Sequence, residues 1–140
     1  MKKLFVYIFA GLLMFGATTI WADAGILQKQ IQFKKGTSGT TVSGKIKGHE
    51  TLDYQLRAKA GQTMAVDFKA SKGAAYFNIL PPGTDAALFI GSSSGNHFKG
   101  ELPVDGVYTV RLYLMGGAKD GNKVVNYSLK INLPVNGSSK

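Results

Sequence analysis

The chain has 140 residues, a formal charge of +9 from 17 Lys and Arg against 8 Asp and Glu, and no cysteine. That length holds one domain with a modest core and leaves no room for a second. The missing cysteine excludes thiol catalysis, dithiol redox work and thiolate zinc sites, and it puts the whole burden of stability on packing.

At the N-terminus Lys2 and Lys3 precede an apolar run from Leu4 to Phe15, and Ala22-Asp23-Ala24 supplies a small-x-small cleavage pattern. Residues 1–24 therefore read as a helical signal peptide cut after Ala24, with Ala22 the alternative, and the protein as periplasmic, or secreted. The apolar run is shorter than the roughly 20 residues a spanning helix needs, so no membrane span is expected after cleavage. No cysteine follows it, which excludes a lipid anchor. Residues 25–133 are expected to form a single domain and 134–140 a polar tail. The mature chain keeps a charge of +8, and thirteen of its fifteen cations are Lys. Lysines are hydrated point charges, so a solvated basic surface is the plain reading, and attraction to an anionic envelope or partner the functional one.

From residue 28 onward the pattern is short alternating runs broken by Gly, Asp, Asn and Pro, which predicts antiparallel strands. Ile31 and Phe33 open the first, and Val42, Gly44 and Ile46 the second. Leu52, Tyr54, Leu56 and Ala58 alternate with Asp53, Gln55, Arg57 and Lys59, and Met64, Val66 and Phe68 follow. Ala60-Gly61 between these two runs suits a tight hairpin, which makes them neighbours. Ala75, Phe77 and Ile79 precede the turn Pro81-Pro82-Gly83-Thr84-Asp85. Ala87, Phe89 and Ile90 form a short run, and Gly91 to Gly95 reads as a flexible loop. Phe98 and Leu102 mark a weak strand. After Pro103-Val104-Asp105-Gly106, residues Tyr108, Val110, Leu112 and Leu114 alternate with Thr109, Arg111, Tyr113 and Met115. A loop from Gly116 to Lys123 leads to Val125, Tyr127, Leu129 and Ile131. The whole reads as an all-β, antiparallel β-sandwich of about eight short strands. Its expected core is Tyr54, Leu56, Met64, Val66, Phe68, Tyr108, Val110, Leu112, Tyr127, Leu129 and Ile131.

Chemistry is scarce. Only His49 and His97 are available as bases, and Gly91-Ser-Ser-Ser-Gly95 lacks the strand-to-helix setting of a nucleophile elbow, so no catalytic residues are assigned. The carboxylates are scattered, several at turns where Asp bonds the backbone. His49, Glu50 and Asp53 are the one dense group of ligand types, but alternation separates Glu50 from Asp53, and no metal or other cofactor is expected. The aromatics fall mainly on the apolar phase of their strands, which argues against nucleic-acid stacking.

The segments Ile31-Gln-Phe-Lys-Lys-Gly36, Val42-Ser-Gly-Lys-Ile-Lys-Gly48, Asp53-Tyr-Gln-Leu and Ala58-Lys-Ala-Gly-Gln62 resemble the N-terminal half of the bacterial periplasmic inhibitors of g-type lysozyme. Leu102-Pro-Val-Asp-Gly-Val-Tyr108, Val110-Arg-Leu112 and Asn126-Tyr-Ser-Leu-Lys-Ile131 resemble its second half. The scaffold is also similar to the bacterial pre-peptidase C-terminal domains, which are β-sandwiches. The first resemblance implies a non-enzymatic protein whose partner is a g-type lysozyme and whose end loops enter the enzyme's glycan cleft over its acidic residues. It further implies contacts from a tyrosine just after the Ile-Lys-Gly segment and from arginines in the loop before the last strand. Here the tyrosine position is His49, and the arginine positions fall on or near Gly116 and Asp120, with Lys119 and Lys123 in the same loop. The partner-binding set carried over is therefore His49, Gly116, Lys119, Asp120 and Lys123. These are expected to gather at one end of the sandwich, in a loop whose glycines leave it without an anchor until binding.

Overall fold

The alternating runs stack into two sheets, each turning one apolar face to the other. The structure is a computed structural model and describes residues 26–135. The expected signal peptide, and the tail beyond Val135, lie outside the described residues.

The five-stranded sheet runs in the order β1 (Ile26–Gln30), β3 (Thr51–Ala58), β8 (Gly106–Leu114), β5 (Ala75–Leu80), β6 (Phe89–Ile90). The four-stranded sheet runs β2 (Gly39–Lys47), β9 (Val124–Asn132), β4 (Thr63–Ala70), β7 (His97–Glu101). Two short helices, α1 (Gly91–Ser94) and α2 (Gly116–Asp120), sit in connections. Neighbours are antiparallel throughout except β1 and β3, which pair in parallel. The all-β sandwich is thus as expected.

All eleven expected core residues are buried, and Arg57 and Lys69 are exposed, so the register is as the alternation required. Phe68 packs edge-on to Phe77, with ring centroids 5.9 Å apart, and lies beside Tyr127 at 6.2 Å. Across the core the hydroxyls of Tyr54 and Tyr127 meet at 2.5 Å, one from each sheet. Gly44 makes room for this pair, because a Cβ there would stand 2.7 Å from the Tyr127 hydroxyl. Tyr108 is fully buried and its hydroxyl donates to the Val104 carbonyl at 2.7 Å, tying the turn before β8 to the strand's own side chain.

Four local expectations are corrected. β3 and β4 are not hairpin neighbours, since they lie in different sheets. Their turn is an arch across the core: Lys59 N–H is taken by Gln62 Oε1 at 2.7 Å, Gly61 N–H by Leu102 O at 2.9 Å, and Leu102 N–H by Gln62 O at 2.8 Å. With those groups bonded elsewhere, β3 and β4 bring Leu56, Ala58, Met64 and Val66 into the core from different sheets instead of extending a shared ladder. The first strand precedes Ile31 and is parallel; Ile26–Gln30 is mostly exposed at a sheet edge and shows no apolar alternation. Gly91–Ser94 forms one helical turn, closed by Gly95 N–H on Gly91 O at 2.9 Å, where a flexible loop was expected. Asp53, placed on the outward phase, is buried, because Arg111 on the adjacent strand lies over it.

Candidate functional site

The connection between β2 and β3 is a four-residue turn. Glu50 N–H donates to Lys47 O at 3.0 Å, and Lys47 N–H donates to Glu50 Oε2 at 3.0 Å. Gly48 takes a left-handed φ of 55°, and a Cβ on it would stand 2.4 Å from Asn122 Oδ1. Glycine there lets the turn lie against the β8–β9 connection, and Gly48 N–H donates to Lys123 O at 3.0 Å. His49 is left exposed at the tip.

The β8–β9 connection is built by α2. Gly121, Asn122 and Lys123 N–H groups bond back to Gly117, Lys119 and Ala118 carbonyls at 2.9, 3.3 and 3.0 Å, and Ala118 packs against the core. The loop expected to lack an anchor is therefore held by its own backbone and by one small apolar side chain. Its surface is nevertheless accessible: Lys119, Asp120 and Lys123 are all exposed, and space is open around Gly116 and Gly117.

Between the two connections lies a depression of about 290 Å³ lined by His49, Glu50, Thr51, Tyr113, Met115 and Lys119, with Gly48 and Leu114 beneath. It brings His49 and Lys119 together, while Gly116, Asp120 and Lys123 stand on the same loop but do not line it. Sequence reasoning missed Tyr113 and Met115 as members of this end. Both sit on the outward phase at the close of β8, and an aromatic and a thioether in that phase beside a loop were the available signal. The Tyr113 hydroxyl donates to Asn78 Oδ1 at 2.8 Å, which fixes its ring as a wall. Met115 is 45% exposed, so it offers apolar surface at the rim. Two exposed lysines, Lys119 and Lys123, accompany Glu50 and Asp120 here, and Glu50 is turned onto the Lys47 amide. This end can bind an acidic surface around an apolar contact. Among the described residues no three His, Asp or Glu side chains converge where a metal could be held.

These features define a two-sheet β-sandwich with a loop-built surface at one end. No family model matches the chain. It is 29% identical over 106 residues to the inhibitor of g-type lysozyme of Escherichia coli strain K12, covering 74% of this chain and 78% of that protein. It is similar to the crystal structure of a periplasmic inhibitor of g-type lysozyme from Aeromonas hydrophila, with 30% identity, a TM-score of 0.72, and coverage of 78% of this chain and 97% of that one. The fold alone is shared with the pre-peptidase C-terminal domain of a Bacillus anthracis collagenase, at 16% identity and a TM-score of 0.54. The chain belongs to the family of periplasmic inhibitors of g-type lysozyme.

Proposed function

We propose that this protein binds a g-type lysozyme in the periplasm and blocks its glycan cleft with the end formed by the His49 turn and the Gly116–Lys123 loop. It acts by occupying the cleft and carries out no reaction itself. The observation that supports this reading is the joint lining of one depression by His49 and Lys119, from connections far apart in sequence.

The end is preformed, so little ordering entropy opposes docking. Lys119 and Lys123 meet the enzyme's carboxylates as point charges, without the two-point geometry an arginine provides. His49 and Met115 supply the contact surface between them. The expected inhibition is therefore of modest affinity and sensitive to salt.

The test is to titrate the purified exported protein into g-, c- and i-type lysozymes and follow lysis of cell walls. Loss of g-type activity that weakens on Lys119→Ala supports the proposal. Full activity of the g-type enzyme at micromolar protein overturns it.

A further inference from the structure

The four-stranded sheet turns a second surface to solvent, away from the loop end. On its outer face, residues paired across the strands form rows: Thr41, Lys130, Asp67 and His97 in one; Ser43, Ser128 and Lys69 in the next; Gly39, Asn132, Ala65 and Lys99 on the other side. Lys45 and Lys47 continue the face along β2, and Glu101 ends it on β7. Five lysines thus share the face with two carboxylates, and His97 Nδ1 contacts one of these, Asp67. The outer face of the other sheet differs: there Arg57 and Arg111 accompany Asp53, and Arg111 is committed to it.

This basic face is also grooved. A hollow of about 670 Å³ runs over it, lined by Thr41, Asp67, Lys69, His97, Ser128 and Lys130. Lys69 and Lys130 are diagonal neighbours on adjacent strands, a relation that places side chains roughly 7–8 Å apart. Ser128 and Asp67 fill the other two corners of that diagonal, and Thr41 stands beyond Lys130 on β2. The face spans three strand spacings, about 14 Å at ~4.8 Å each. Cations beside a hollow that also offers the Thr41 and Ser128 hydroxyls fit a polymer that carries both hydroxyls and repeated negative charge. A bilayer is a poorer fit, because among the described residues Val124 is the one large exposed apolar side chain on this face.

We propose that the outer face of the four-stranded sheet is a second binding surface, which takes a carboxylate-bearing glycan polymer of the cell envelope. The lysines attract its carboxylates, and the hydroxyl rows receive its sugar hydroxyls. Because this face and the loop end are different surfaces, a molecule held by the face keeps its loop end free.

The probe is insoluble peptidoglycan sacculi, used native and with their carboxylates converted to amides, and the readout is co-sedimentation of the exported protein. Native sacculi are expected to retain the parent at low ionic strength. About 1 M NaCl, where the screening length is near 3 Å, releases it. Retention should fall on the order of tenfold or more with amidated sacculi, and by a similar factor for the K69Q/K99Q/K130Q variant. All three lysines are exposed, so the variant should keep the parent's thermal midpoint, and the amidated probe tests the idea with the protein unaltered. Equal retention on native and amidated sacculi, retention of the triple variant like the parent, or stronger retention on anionic phospholipid vesicles than on sacculi would each overturn the proposal. Lysozyme inhibition measured on a soluble oligosaccharide should be unchanged in the triple variant. Failure of inhibition in the parent speaks against the loop end alone, and failure of retention against the sheet face alone.

Discussion

Arg111 grips Asp53 from the neighbouring strand at two points, Nε to Oδ1 at 2.8 Å and Nη2 to Oδ2 at 2.9 Å. The carboxylate is 5% exposed and the guanidinium side chain 32%. The hydrogen bond to Asp53 holds the guanidinium's pKa above its ordinary value despite the opposing effect of burial. Arg111→Met leaves the carboxylate buried and unpaired. We expect a loss of about 2–3 kcal/mol in urea unfolding, below the 3–5 kcal/mol of a fully buried pair because Arg111 keeps a third of its side chain in water. The double change Asp53→Leu with Arg111→Met should recover most of it. A single variant with the parent's urea midpoint would show that the pair adds no stability.

Phe68 is 3% exposed and touches rings of both sheets. Phe68→Ala is expected to cost about 3–5 kcal/mol, the range for truncating a buried phenylalanine. A thermal shift near zero would contradict its place in the core.

Burial, followed by the hydrogen bond to Tyr54, pushes the Tyr127 phenol above its ordinary pKa of 10.0. In the unfolded chain the group loses its proton near pH 10, whereas in the fold it keeps it, so the folded state binds more protons above that pH. The stability from this group is complete below about pH 10 and declines as pH rises beyond it. Unfolding followed from pH 8 to 11 should show that decline, and Tyr127→Phe should flatten it. An unchanged slope in the variant would assign the alkaline loss to other groups.

At the loop end the backbone decides where an arginine fits. Gly116 sits at φ 60°, where a side chain is strained, whereas Gly117 has open space and no left-handed φ. His49→Tyr with Gly117→Arg and Asp120→Arg should tighten binding to a g-type lysozyme by about 1.5–3 kcal/mol for each charged hydrogen bond that forms well. The same set with Gly116→Arg should gain less and lower the thermal midpoint. Calorimetric titration of both against the parent checks this, and equal affinities in all three would remove arginine geometry as the limiting factor.

The core was legible because Tyr54, Val66, Tyr108 and Leu129 obey a two-residue period that burial on one face imposes. Sheet membership was not. Lys59 to Gln62 has the composition of a hairpin turn, and only the distant bonds to Leu102 make it an arch. β1 was hidden because an exposed edge strand has no apolar side to display. At the loop end, a resemblance marked His49 and the Gly116–Lys123 loop. The wall formed by Tyr113 was out of reach, since it depends on Asn78, a residue of another strand.

One of the two inner strands of the four-stranded sheet, β9, is also the strand furthest along the chain among the described residues. Until residues 124–132 are available, β2 has no neighbour in its sheet and β4 has only β7. β2 and β9 are far apart in sequence, and a pairing between such distant segments is slow to form. The four-stranded sheet is therefore two separate pieces, β2 and the β4–β7 pair, that β9 alone joins, so a change that loosens β9 unzips the sheet on both sides at once.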